Sequence, residues 1–214
     1  MLNELGQPNL AVEKPPALRQ VADPSMESPL IEMKRDGHNP FSANYAGKLA
    51  LQERPFLDLV TLRGEKDDPR FATVIRDKLG GELPITANTF RDGESYRVIW
   101  LGPDEWLAQS RKPQRASIEA CILASFADLF ASAVDVSSGY TTLSLSGRHA
   151  AEALARGCPL DLHPSVFGPG QCAQSYFFKA AILLLATGPE QWELVVRRSF
   201  AEYVVSMLVD TVGA

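Results

Sequence analysis

The segment Cys158-Pro-Leu-Asp161-Leu-His163-Pro164 crowds a thiol, a carboxylate and an imidazole into one short, turn-rich stretch. Those residue types invite covalent catalysis, with Cys158 as nucleophile and His163 as its base. Such chemistry also needs an orienting third group and donors for an oxyanion, and the sequence offers neither nearby. Gly157 reads as a helix C-terminal cap, so Cys158 lies beyond the negative end of a helix, where the dipole raises a thiol pKa. Zinc is the other option, with Cys158, His163 and Cys172 as ligands. The gaps are irregular and no CxxC knuckle is present, so separate packing and capping roles are preferred. Asp161 and His163 then read as loop-fixing groups before Phe167-Gly-Pro-Gly170.

Other chemistry is equally thin. No GxGxxG and no GxxxxGK[ST] is present, which removes the usual phosphate-cradling loops. Ser146-Gly147-Arg148 at a helix start could seat an anion on free backbone amides, but an ordinary cap explains it without a ligand. The expected site inventory is therefore catalytic none, cofactor-binding none and metal none.

The elements that would position these groups follow from periodicity. Phe56 to Leu62 reads as a strand. Asp68 is an N-cap with Pro69 at the first helical position, and Phe71, Val74, Ile75 and Leu79 share a helical face that ends at Gly80. Tyr96 to Leu101 and Glu105 to Gln109 are strands joined by a turn at Gly102-Pro-Asp. Pro113 is expected to open a helix carrying Ile118, Ile122, Phe126 and Leu129. The second half reads in the same order. Val134 to Leu145 is a strand with a bulge or bend at Ser138-Gly139. Ser146 caps a helix that ends at Gly157, and Ser175 to Ala186 is a strand. Gly188-Pro-Glu is a turn and Trp192 to Val196 its returning strand. Ser199 and Glu202 form a capping box for a last helix with Phe200, Tyr203, Val204, Met207 and Leu208 on its face.

Both halves thus read strand, helix, strand, strand, helix, and Gly102-Pro-Asp-Glu-Trp106 matches Gly188-Pro-Glu-Gln-Trp192. The fold class is α+β, with two similar βαββα halves forming mixed, largely antiparallel sheets with packed helices. Three regions follow: a Pro-rich N-terminal segment (1–54), a first half (55–132) and a second half (133–214), with 55–214 as one compact unit. The N-terminal segment carries Pro8, Pro15, Pro16, Pro24, Pro29 and Pro40 without periodicity. It is expected to be disordered or laid along a partner through Leu30, Ile31, Met33 and Phe41.

Composition bounds the function classes. Hydrophobic residues are 45% and charged residues 22% of the 214, an ordinary globular balance. A net charge of -5 weighs against nucleic acid, which needs a concentrated basic face. No apolar run approaches the ~18 residues of a spanning helix and no signal-peptide pattern opens the chain. Three cysteines do not make a secreted disulfide framework. A cytoplasmic location is expected, with no membrane partner.

Several segments carry a family resemblance. They are Glu53-Arg-Pro-Phe-Leu, Leu62-Arg-Gly, Glu82-Leu-Pro-Ile-Thr-Ala-Asn, Trp100-Leu-Gly-Pro-Asp-Glu-Trp-Leu, Val134-Asp-Val-Ser-Ser-Gly and the run from Leu145 to Pro164. In that order they resemble the gamma subunit of heterotetrameric sarcosine oxidase, from about Leu51 onward. The resemblance implies a bacterial flavoenzyme of four different subunits. It oxidises the N-methyl group of sarcosine to give glycine and hydrogen peroxide, and passes the one-carbon unit to tetrahydrofolate. FAD, FMN, NAD and tetrahydrofolate would belong to partner subunits. The alpha subunit would be the main contact, with beta and delta completing the complex. The gamma chain is in turn similar to the folate-binding domain of the glycine-cleavage T-protein, and no catalytic or cofactor residue of the family maps onto this sequence. A noncatalytic subunit supporting assembly is the expectation. The alternatives are a freestanding folate-binding or one-carbon-transfer protein and a cysteine-dependent enzyme centred on Cys158.

Overall fold

The computed structural model describes residues 26–35, 40–41 and 49–213. Most of the Pro-rich segment, including Pro8, Pro15, Pro16 and Pro24, lies outside the described residues. Among the described residues, ten strands form two five-stranded sheets whose ladders are antiparallel throughout. The first sheet runs β3 (Phe90–Asp92), β4 (Tyr96–Gly102), β5 (Glu105–Pro113), β2 (Leu57–Arg63), β6 (Ser132–Asp135). The second runs β8 (Cys172–Phe177), β9 (Ala180–Gly188), β10 (Gln191–Arg197), β7 (Tyr140–Ser146), β1 (Ala50–Arg54). The α+β class expected from the sequence is the one observed.

Side-chain alternation stacks these sheets face to face, with helices outside. Along β9, Ile182, Leu184 and Ala186 join the core under the second sheet's helices, while Leu183 and Leu185 join a core between the sheets. Both faces are buried, so the strand is an unbroken apolar run rather than an alternation. Helices α2 (Pro69–Leu79) and α3 (Glu119–Phe126) cover the first sheet; α4 (Ala150–Ala155) and α5 (Ala201–Gly213) cover the second. Helix α2 forms as its sequence predicts. Asp68 accepts from Arg70 N at 2.8 Å, and Gly80 ends the helix at φ 70. Its buried stripe of Phe71, Ile75 and Leu79 stabilises this layer by about 1.5–3 kcal/mol per side chain.

The two sheets correspond strand for strand. Leu62 pairs with Trp106 in the first, and Leu145 with Trp192 in the second, so the matching turns occupy equivalent places. Gly64 N donates to Asp104 O, and Gly147 N to Glu190 O. Where the sheets join, Thr89 bridges Gln171, Phe90 N donates to Gly170 O and Cys172 N donates to Asn88 O. Asn88 and Gly170 take the same left-handed conformation, φ 59 and 90. One feature breaks the linear division into halves. Strand β1, ahead of the first half, pairs with β7 in the second sheet, and β6 pairs with β2 in the first.

Several local expectations are corrected. Val134 to Leu145 is two strands in different sheets, separated by a 3-10 turn at Ser137–Gly139. Ser175 to Ala186 is a hairpin, because the chain reverses at Phe178, which takes φ 49 without a turn-forming residue to announce it. Helix α3 starts at Glu119, since β5 continues to Pro113. Ser146 ends β7 and does not cap α4, so the helix start that made Ser146-Gly147-Arg148 an anion seat lies three residues further on. A 3-10 turn, Arg198–Phe200, leads into α5 in place of the Ser199–Glu202 capping box.

The described part of the N-terminal segment packs on the chain itself. Helix α1 (Ile31–Arg35) follows Leu30, which is fully buried with Leu49 in the core of the second sheet; Met33 and Phe41 pack against the same core. Glu53 on β1 accepts from Ser28 Oγ at 2.6 and 2.8 Å, Thr141 Oγ1 at 3.0 Å and Lys34 Nζ at 2.5 Å. Leu30, Met33 and Phe41, three of the four apolar anchors of this segment, are thus spent internally.

Candidate functional site

The residues flagged by chemistry do not assemble into one centre. Cys158 is buried, with Sγ 3.6 Å from Ser175 Oγ. His163 is exposed; its N–H bonds Asp161 Oδ1 at 3.0 Å, and its Nδ1 lies 2.7 Å from Ser165 Oγ. Asp161 and His163 therefore do the loop-fixing work expected of them. Cys172 sits between the sheets, and burial pushes its thiol up to about 12, against weaker opposing effects of the Trp100 carbonyl and Arg97. Among the described residues, no group of three or more His, Cys, Asp or Glu side chains is placed to hold a metal ion. Cys121 is the exposed cysteine of the three. At pH 8 a chromogenic disulfide should therefore titrate one thiol quickly in the native protein and three after denaturation. Fast reaction of a second thiol in the native state would contradict the burial of Cys158 and Cys172.

Two polar constellations that periodicity did not expose are more developed. The first spans the seam between the sheets. Glu193 on β10, only 7% exposed, accepts from Arg54 Nη1 at 2.5 Å and Arg97 Nη1 at 3.1 Å. Arg97 also donates through Nε to Asp92 at 2.6 Å and lies 4.5 Å over the Phe90 ring. Arg111 pairs with Asp92, and Arg54 Nη2 donates to Arg111 O at 2.8 Å. Burial raises the Asp92 pKa, but the bonds and charges of Arg97 and Arg111 outweigh it and hold the carboxyl below its usual range. Every member has a partner, as a buried ionic group requires.

The second is Asp58 on β2, buried beneath the start of α3. Its Oδ2 accepts from Tyr96 Oη at 2.7 Å and from Ile118 N at 2.9 Å, and Ser137 Oγ stands 3.3 Å from Oδ1. Burial, with the bond to Asp58 and its charge, raises the Tyr96 pKa and keeps the phenol a donor. Helix α3 has no side-chain cap from Ile118 itself, so Asp58 satisfies an amide that the helix end leaves open. Asp58 also lines a hollow of about 390 Å³ between Met26, Pro29, Phe56 and Ser117. The signal for both constellations was a charge at an inward position of an otherwise apolar strand: Arg97 before Val98-Ile-Trp and Glu193 between Trp192 and Leu194 for the first, Asp58 between Leu57 and Leu59 for the second.

Residues 63–214 match the model of the sarcosine oxidase gamma subunit family. The chain belongs to that family. It is 33% identical over 169 residues to the sarcosine oxidase subunit gamma of Corynebacterium sp. (strain P-1), covering 78% of this chain and 82% of that one. The subunit gamma of Arthrobacter sp. is 31% identical over 166 residues, covering 77% and 80%. Among solved structures, a chain of the heterotetrameric sarcosine oxidase from Corynebacterium sp. U-96 superposes with a TM-score of 0.76 at 26% identity, covering 88% of this chain and 95% of that one. The glycine cleavage system aminomethyltransferase T from Bartonella henselae shares the fold at TM-score 0.55 and 12% identity, over 76% of this chain and 45% of that one. The expected likeness to the T-protein fold is therefore present, and at that identity it speaks for fold alone.

Membership in the gamma subunit family directs attention to surfaces as well as to pockets. Phe130, after α3, is 95% exposed. Leu123 on α3 is also exposed, and α3 turns Ala120, Cys121 and Ala124 to solvent along with it; Val134 on the edge strand β6 is exposed as well. Among the described residues no helix is long and apolar enough to cross a membrane.

Proposed function

We propose that this chain is the noncatalytic gamma subunit of a heterotetrameric sarcosine oxidase, docked mainly on the alpha subunit, with beta and delta completing the complex. The observation that carries this reading is the match to a chain of such an oxidase over 88% of this chain and 95% of that one. The complex would demethylate sarcosine oxidatively to glycine, with hydrogen peroxide and a one-carbon unit for tetrahydrofolate. In this reading FAD, FMN, NAD and tetrahydrofolate are held by partner subunits. The gamma chain has no catalytic, cofactor-binding or metal residue of its own, and the assembly is cytoplasmic. Its contribution is linkage, since a subunit that binds only the assembled state raises that state's stability. The proposed organisation is 1–54, 55–132 and 133–214, modified by the exchange of β1 and β6 between the two sheets.

The exposed apolar side chains of Leu123 on α3 and Phe130 just after it support docking on a partner, because a protein rarely leaves a large aromatic side chain so exposed. The N-terminal residues add a wrapping contact. Pull-down of the tagged full chain from its host should recover larger partners with a flavin absorption band. Phe130→Asp, and separately removal of residues 1–25, which keeps Leu30 and Leu49, should each lower that recovery severalfold. A colourless, solitary chain that binds tetrahydrofolate would overturn the subunit reading in favour of a freestanding folate-binding protein. Undiminished recovery with both variants would overturn the docking surfaces.

A further inference from the structure

The correspondence between the sheets assigns every member of the seam ion cluster a counterpart. The registers match Glu193 with Leu107, Arg97 with Leu183, Asp92 with Gln174 and Arg54 with Val136. Arg111, next after Ser110, matches Arg197, next after Val196. All five counterparts line a single hollow of about 390 Å³ between the sheets. Where one flank of the seam is filled by three guanidinium groups and two carboxylates, the corresponding flank is open and four of its five positions are neutral.

Arg197 keeps its charge there. Its guanidinium stands 5.8 Å over the Tyr140 ring, and no carboxylate of the described residues lies within ion-pair distance. Its counterpart Arg111 is matched by Asp92. The residue in Asp92's place, Gln174, instead donates to Leu101 O at 2.9 Å. The hollow therefore combines an apolar wall of Leu107, Val136, Leu183 and Val195 with one cation that has no carboxylate partner among the described residues. Its volume is within the range of small-molecule sites, roughly 300–1,000 Å³.

We propose that this hollow binds a small monocarboxylic acid with a compact apolar body. The carboxylate pairs with Arg197, and the apolar part occupies the space that charged side chains fill on the other flank. One guanidinium and neutral walls select a single negative charge, since a second would be desolvated without a partner.

Calorimetric titration of the full chain with phenylacetate, and with its neutral amide phenylacetamide, tests this. Saturable binding of phenylacetate is expected, at least about tenfold weaker for the amide and for Arg197→Gln. Gln174→Asp supplies Arg197 with the carboxylate that Asp92 gives Arg111, and should weaken binding by a similar factor. Both substitutions are at exposed positions, so the fold is expected to survive them. Absence of saturable phenylacetate binding, or equal binding of the amide, overturns the proposal. Binding by the free chain that disappears in the purified complex also overturns it, because a partner's carboxylate would then be the occupant.

Discussion

Replacing Glu193 by alanine is expected to lower the melting temperature by about 10 °C. The substitution removes the carboxylate shared by Arg54 and Arg97, and Arg97 has nowhere to turn. Its side chain is 5% exposed, held between Asp92 and the Phe90 ring. Breaking a buried pair by removing one partner costs about 3–5 kcal/mol, because a desolvated charge is left behind. At roughly 2–4 °C per kcal/mol for a chain of this size, the loss is easily read in a thermal melt. Changing Glu193 and Arg97 together to leucine copies the opposite flank, where Leu107 and Leu183 stand in their places, and should cost less than the single change. A melting shift below about 2 °C for Glu193→Ala would show that water enters the seam.

The same cluster gives stability a pH dependence of known sign. Asp92 has its carboxyl pKa depressed in the folded chain despite partial burial, through Arg97 and Arg111. Its contribution is present above the unfolded carboxylate value of about 3.9 and is lost as pH falls through the folded value. Melting temperature should therefore fall on acidification below about pH 4, and less steeply in Asp92→Asn. An unchanged slope in that variant would remove Asp92 as a cause.

Asp58→Ala is expected to cost about 3 kcal/mol, because it leaves both the buried Tyr96 hydroxyl and the Ile118 amide without an acceptor. The loss should be local as well as global. Amide exchange at the start of α3, residues 118–122, should quicken far more than exchange in α2, which is capped by its own Asp68. Asp58→Asn keeps one acceptor oxygen and should recover part of the loss. Equal protection of α3 in wild type and Asp58→Ala would mean that the helix start is held by something else.

What the sequence revealed depended on whether the cause was local. Helix α2 was legible because Asp68, Pro69 and Gly80 are its own neighbours. The boundary of α3 was not, because the acceptor at its start comes from β2, some sixty residues earlier in the chain. The hairpin at Phe178 was hidden because an apolar aromatic residue makes the turn, and because β9 is buried on both faces so that its alternation vanishes. Strand β1 was absorbed into a Pro-rich segment, since its pairing partner β7 lies far along the chain. Among the site candidates, Cys158 is buried beside Ser175 while His163 is exposed in a loop bonded to Ser165, a difference that their nearness in sequence did not reveal. The seam cluster escaped because its five members come from β1, β3, β4, β5 and β10, and no window of sequence brings them together.

The exchange of β1 and β6 has a consequence for what each half could ever be on its own. A lone half would own a strand with no sheet and a sheet lacking a strand, a need that a second, identical copy would satisfy. Such a pair would be obliged to carry the same residues on both flanks of its seam, so any charge placed on one would be repeated on the other. Joined into one polypeptide, the halves escape that obligation. Glu193 and Leu107, or Arg97 and Leu183, are equivalent positions that two identical copies could never fill differently.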